Sequence, residues 1–291
     1  MRQATVLKDG LGFVEGPRWH EGRLWLSDST NGAVWALDAN GGIERVVDVP
    51  GQPSGLGWLP DGRLLVVSWA NRRLMRLDPT GLVEHADLSG VATFHCNDMV
   101  VDGAGRAWVG NWGFDLAAYL DGRDLLAVSA VPDLPTAAIA RVDPDGAVHV
   151  AATGLRFPNG TVISPDGATL VVAETFAERL TAFDVETDGA LTNRRTWAEL
   201  PGVVPDGIAL DAEGAIWVAN PVAPECLRVA SGGAVVERVA TSQPCYACAL
   251  GGPDRLTLFL LTNPPYEPGA HGENAGRVEA VTVTVPGAGW P

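Results

Sequence analysis

Six times along the chain, a polar or small residue is followed by a short apolar run, a tight turn and a second apolar run. The opening positions are Glu15, Ser54, Asn97, Asn159, Asp206 and Ala247, and the bulky residues of the second runs are Trp25, Leu65, Trp108, Leu170, Trp217 and Leu258. The separation is 10 residues in the first copy and 11 in the other five. A unit this small cannot bury its own apolar face, so a constant register over six copies defines a repeat architecture.

Between these anchors the sequence alternates apolar runs such as RLLVVSW, TLVVAE and AIWVAN with turn signals such as DPTG, SPDG and ETDG. Such runs read as short strands. The best helical stretch, Asp115 to Ala130, is interrupted by Gly122. About four strands per unit of propeller-blade size predict an all-β, six-bladed β-propeller with four antiparallel strands per blade. The whole chain, 1–291, is expected to form one domain, with Ala4 to Leu7 pairing near Val278 to Val285 so that no sheet edge stays open. Successive opening positions lie 39, 43, 62, 47 and 41 residues apart. The surplus in the third unit falls at 113–137, and a second long loop spans 263–276. Both follow the second strand of their blade and are expected to overhang the end of the channel where the polar positions sit, as lids.

The net charge of −15 and a pI near 4.6 argue against a nucleic-acid partner, which calls for a basic stripe. No apolar run reaches the roughly 18 residues of a membrane span, and the first residues show no export signal. A soluble, cytoplasmic protein, monomeric or a small homo-oligomer, with a small-molecule substrate is the expectation. The four cysteines are too few for a disulfide scaffold. The Cys245-x-x-Cys248 pair lacks a second pair at zinc spacing and reads as buried strand cysteines.

In a propeller the first strand of each blade lines the central channel, so the six opening positions converge on the axis. Five of them carry oxygen. Glu15, Asn97, Asn159 and Asp206 suit one hard divalent cation, Ca²⁺ first, with Mg²⁺ or Mn²⁺ at a tighter site. His95 and Cys96 beside Asn97 keep Zn²⁺ open. The competing reading takes Asn159-Gly160 and Asp206-Gly207 as turns. Yet the Pro-Asp-Gly turns at Asp61 and Asp166 fall seven residues later in their own units, so turn chemistry is supplied elsewhere. Asn111 is expected at the rim, ahead of Asn220 and Asp28, whereas Glu174 reads as solvated loop polarity. Trp69, Trp112, Phe114 and Tyr119 are expected at the mouth.

The segments EGPRW at Glu15, CNDMVVD at Asn97, PNG at Asn159, PDGIALD at Asp206 and the closing RVEAVTVTVPGAGWP together resemble the gluconolactonase, regucalcin and senescence-marker-protein family. The resemblance runs from about Phe13 to Pro291. It implies one divalent cation in the channel and, commonly, lactone hydrolysis. Glu15, Asn159 and Asp206 then correspond to the metal ligands, and Asn97 to a ligand or substrate contact. Asp206 corresponds to the general base, with Asp98 as the alternative. Family members often place Arg two residues before the channel Asn. This chain has His95, which is expected to contact substrate or transfer protons. With Trp69, Asn111, Trp112 and Phe114 as further substrate contacts, the mouth points to a lactone or ester bulkier or more apolar than gluconolactone. Other chemistry at the same metal site (phosphoester hydrolysis, non-hydrolytic ring opening or isomerisation) and a non-enzymatic Ca²⁺-binding propeller remain alternatives.

Overall fold

The computed structural model describes residues 1–38, 41–267 and 274–289; part of the expected 263–276 insertion therefore lies outside the described residues. Six sheets are arranged in sequence order. Their innermost strands are Val14–His20, Pro53–Trp58, Cys96–Val101, Pro158–Ile163, Ile208–Leu210 and Cys245–Gly251, in blades one to six. Each is followed by antiparallel strands stepping outward. The sixth blade takes its outermost strand from the N-terminus: Thr5–Leu11 pairs antiparallel with Gly276–Thr282, with Thr5 opposite Ala280. Arg2–Gln3 adds a short parallel pairing to blade five. The circle is closed as the sequence predicts, slightly out of the expected register.

Sheet-to-sheet packing supplies the stability. Six apolar clusters fill the six gaps between neighbouring blades. Leu65 and Met99 meet between blades two and three, and Ile216 and Leu180 between blades four and five. Trp108 and Trp217, two of the bulky repeat positions, are fully buried in such gaps. Complete removal of large side chains from water is the main favourable term. All four cysteines are buried free thiols.

Near the axis there is no room for side chains between blades. A Cβ on Gly16 would sit 2.6 Å from the Ser54 carbonyl oxygen, and one on Gly207 would sit 2.6 Å from the Ala247 Cα. Gly55 and Gly160 meet the next blade's backbone in the same way. Glycine follows the opening position in four units because neighbouring inner strands touch backbone to backbone.

The last position of each second strand, or the one just after it, is a buried polar residue: Asp28, Ser68, Asn111, Glu174, Asn220 and Asn263. These side chains brace loops. Glu174, expected as a solvated loop residue, is instead fully enclosed and accepts from the Arg156 N–H, Arg179 and Thr181 Oγ1. Burial alone would raise its pKa; those partners overcome it and hold the carboxylate low. Asn263 joins blade six to blade one, accepting from the Val14 N–H at 2.9 Å and donating to the Val14 carbonyl at 3.0 Å.

The stretch 113–137 folds into two short helices, Leu116–Leu120 and Leu125–Ser129, each capped by an aspartate (Asp115, Asp124). Gly122, at φ +79°, lies in the break between them. Their apolar faces join Phe114, Phe157, Phe176 and Val204 in a seventh cluster over the blades.

Asn263→Leu keeps the size but strands both Val14 backbone groups. A loss of about 2–5 kcal/mol in unfolding free energy is expected, measured by urea titration; an unchanged midpoint would dismiss Asn263 as the stitch between the blades.

Candidate metal and substrate site

In most blades the opening residue sits where the first hairpin loses register. Shifts fall between Glu15 and Arg18, Pro53 and Leu56, Cys96 and Met99, and Pro158 and Thr161. A bulge re-aims a side chain that regular pleating would send into the sheet. Glu15, Asn97, Asn159 and Asp206 thereby line one cavity of about 630 Å³ at the end of the channel. Neither Asn159 nor Asp206 belongs to a hairpin turn: Asn159 lies within its strand, and Asp206 pairs by its N–H with the Ala219 carbonyl.

Glu15 and Asp206 show part of their surface to the cavity but are surrounded by protein otherwise. Burial, then the charge of Asp98, pushes Glu15 up to about 8. The Ser54 hydroxyl lowers it somewhat, although this buried oxygen meets no neighbour in full hydrogen-bond geometry. Burial, then Glu15, then Asp98 raise Asp206 well above the usual carboxylate range, against the Asn159 amide and the Gly207 N–H. Two carboxylates that resist ionisation together are what a divalent cation would relieve. The amides suit the same end. Asn159 Nδ2 donates to Thr175 Oγ1 at 3.3 Å, and Asn97 Nδ2 lies 3.5 Å from the Pro158 carbonyl oxygen. With nitrogen engaged by the wall, each amide oxygen is left as the free donor atom. Among the described residues no three His, Cys, Asp or Glu side chains gather as a metal cluster, so a nitrogen- or sulfur-rich zinc centre does not fit. Two carboxylates with two amide oxygens fit a hard ion.

Asp98 does not line the cavity. Its carboxylate is buried and takes the Arg18 guanidinium at 2.9 Å and the Met99 N–H at 2.8 Å. Arg18, from blade one, also donates to the Met99 carbonyl, so the pair links blades one and three below the polar ring. Burial nonetheless raises the Asp98 pKa, against the Arg18 charge.

His95 is likewise outside the lining. Its ring stacks on Trp69 at 3.9 Å and stands edge-on to Trp112 at 5.5 Å, and burial lowers its pKa. Asn111 uses both ends of its amide locally, donating to the Ala138 carbonyl and accepting from the Gly113 N–H. Phe114 packs under the helical insertion, with Tyr119 edge-on at 4.8 Å. Trp69 and Trp112 do line the cavity.

Phe13, Gln52, Phe157, Thr175, Tyr246 and Tyr266 also line it without having been expected. Three of these had a signal in the register: Phe13, Gln52 and Phe157 stand two residues before Glu15, Ser54 and Asn159. Gln52 and Phe157 hold left-handed backbone, φ 68° and 60°. That conformation is uncommon for a non-glycine residue, and for bulky phenylalanine it is a marked outlier of the kind that gathers at ligand sites.

A family model described as the SMP-30/Gluconolactonase/LRE-like region matches residues 13–263. The pentonolactonase XacC of Haloferax volcanii is 30% identical over 282 residues, covering 90% of this chain and 85% of that protein. The 6-deoxy-6-sulfogluconolactonase of Pseudomonas putida is 28% identical over 307 residues, covering 100% and 96%. Among solved structures, the calcium-binding protein regucalcin from Agrobacterium tumefaciens superposes with a TM-score of 0.78 at 22% identity, over 100% of this chain and 97% of that one. At that identity the likeness is one of fold.

Two predictions follow from the charges. Between the ordinary carboxylate value of 4.5 and about 8, the metal-stripped folded protein holds a proton on Glu15 that the unfolded chain releases. Its stability therefore falls as pH rises through that window. Denaturant titrations from pH 5.5 to 8.5 should show this slope, reduced in Glu15→Gln; an identical slope in both proteins counts against it. Arg18→Met leaves Asp98 buried without its cation and should cost about 3–5 kcal/mol, with recovery in the Arg18→Met/Asp98→Asn double variant.

Proposed function

The chain belongs to the SMP-30/gluconolactonase/LRE-like family, and on that premise we propose that it is a lactonase-type hydrolase whose channel holds one divalent cation, Ca²⁺ in the first instance. The observation that carries the reading is the pair of charge-frustrated carboxylates, Glu15 and Asp206, set with two amides in one cavity. The lactonases of Haloferax volcanii and Pseudomonas putida, similar over most of their lengths, support the reaction class.

Glu15, Asn159 and Asp206 hold the ion, and Asn97 either completes the set or orients the substrate. When bound, the ion acts as a Lewis acid toward a carbonyl oxygen and acidifies water. Asp206 is the base. It takes a proton from the water whose oxygen attacks the lactone carbonyl carbon. As the ring C–O bond breaks, Asp206 returns that proton to the departing oxygen, giving a hydroxy acid. The Asn159 amide beside Asp206 fixes the orientation of the carboxylate.

A panel of lactones, aryl esters and phosphotriesters, each with and without EDTA, tests this. Lactones should be turned over, with activity lost on chelation and restored by Ca²⁺ or Mn²⁺. Glu15→Gln and Asp206→Asn should each lower kcat/KM by roughly 10²-fold or more. Full turnover by Asp206→Asn with undiminished metal affinity would remove Asp206 as base, and phosphotriester turnover alone would replace the reaction class.

A further inference from the structure

Above the polar ring the cavity is walled by a continuous collar of aromatic rings. Tyr246 meets Phe13 edge-on at 4.9 Å, Phe13 meets Tyr266 at 6.3 Å, and Tyr266 meets Trp112 at 6.4 Å. Trp112 continues to Phe157 at 5.2 Å and to Trp69 at 5.0 Å. Leu116 and Leu125 of the helical insertion complete this wall. The collar thus draws on five blades and both long loops, so it is assembled by the closed fold and not by one apolar segment.

Several polar groups at this level are already engaged by the wall, while Gln52 and Glu267 also reach the lining. Ser29 Oγ donates to the Phe13 carbonyl, and Thr30 Oγ1 accepts from the Phe13 N–H. Thr175 Oγ1 donates to the Pro205 carbonyl, and the Tyr246 hydroxyl donates to the Pro264 carbonyl. Asn263 spends both amide ends on Val14. Among the described residues no Lys, Arg or His lines the cavity. At the level of the collar, the described residues offer no side-chain cation to a carboxylate, sulfonate or phosphate on the substrate. Each sugar hydroxyl buried without a partner would lower affinity on the order of tenfold or more.

We infer that the substrate is a lactone carrying an apolar substituent, an alkyl chain or an aromatic ring, that fills this collar while the lactone carbonyl lies at the polar ring. The inference rests on the lactonase reading and narrows it. A volume of about 630 Å³ lies within the roughly 300–1,000 Å³ of sites that enclose drug-sized ligands. Aromatic and aliphatic walls return binding energy for each methylene removed from water, about fourfold per methylene when fully buried.

The test is a series of γ-lactones with lengthening alkyl chains, compared with gluconolactone, on the metal-loaded full chain. The expected result is a rise in kcat/KM of about two- to fourfold per methylene, with gluconolactone at least about tenfold below the best member. Tyr266→Ala and Trp112→Ala should flatten the rise. A flat or falling series, or a preference for gluconolactone, would overturn the inference while leaving the lactonase reading intact. If no lactone is hydrolysed, the lactonase reading fails, and titration calorimetry with non-hydrolysable lactams of the same chain lengths decides the collar separately. Affinity that tightens with chain length supports an apolar occupant, and affinity independent of chain length refutes it.

Discussion

Backbone contact between innermost strands at the axis is the constraint on which the remaining structure depends. Gly16, Gly55, Gly160 and Gly207 admit the neighbouring strand where a Cβ would collide. Close approach brings the preceding residue of each blade into a single ring. The register shift in the first hairpin then turns that residue into the channel. The third unit departs from the pattern in an informative way. Asp98 stands where four of the other blades have glycine, and its charge is met by Arg18 from two blades away.

This geometry forces an electrostatic problem. Glu15 and Asp206 share a low-dielectric space, and Asp98 lies close enough to raise both. The protein supplies one compensating cation from within, Arg18, and directs it to Asp98. Glu15 and Asp206, the two carboxylates of the polar ring, are left to a bound ion or to protons. Arg18 below the ring and the aromatic collar above it therefore bracket the site: one neutralises the acid that must stay structural, and the other keeps the open side apolar.

Much of this was legible in the chain. The constant separation from Asn97 to Trp108 and from Asp206 to Trp217 carried the blade count, because period and turn chemistry are local properties. The ring residues were legible because they vary at a position the repeat otherwise holds constant. His95, Asn111 and Phe114 fall outside the cavity lining for one reason. Sequence proximity places a residue near a site, but the rotation of its side chain is chosen by packing. His95 turned to stack on Trp69, Asn111 was claimed by the Ala138 carbonyl, and Phe114 was drawn beneath the two helices. Glu174 looked like loop polarity, yet Thr181, the Arg156 N–H and Arg179 made it an enclosed brace.

By itself, the sequence determined the repeat, the blade number, the closing strand and the identity of the polar ring, since each follows from spacing along the chain and from the oxygen chemistry of a few residues. Only the tertiary structure decided which aromatics face the cavity and how the charges are paired. Phe13, Trp112 and Tyr266 come from blades one, three and six, and Arg18 meets Asp98 across 80 residues of chain. Such contacts are set by the curvature of a closed ring of sheets, and no local pattern encodes it.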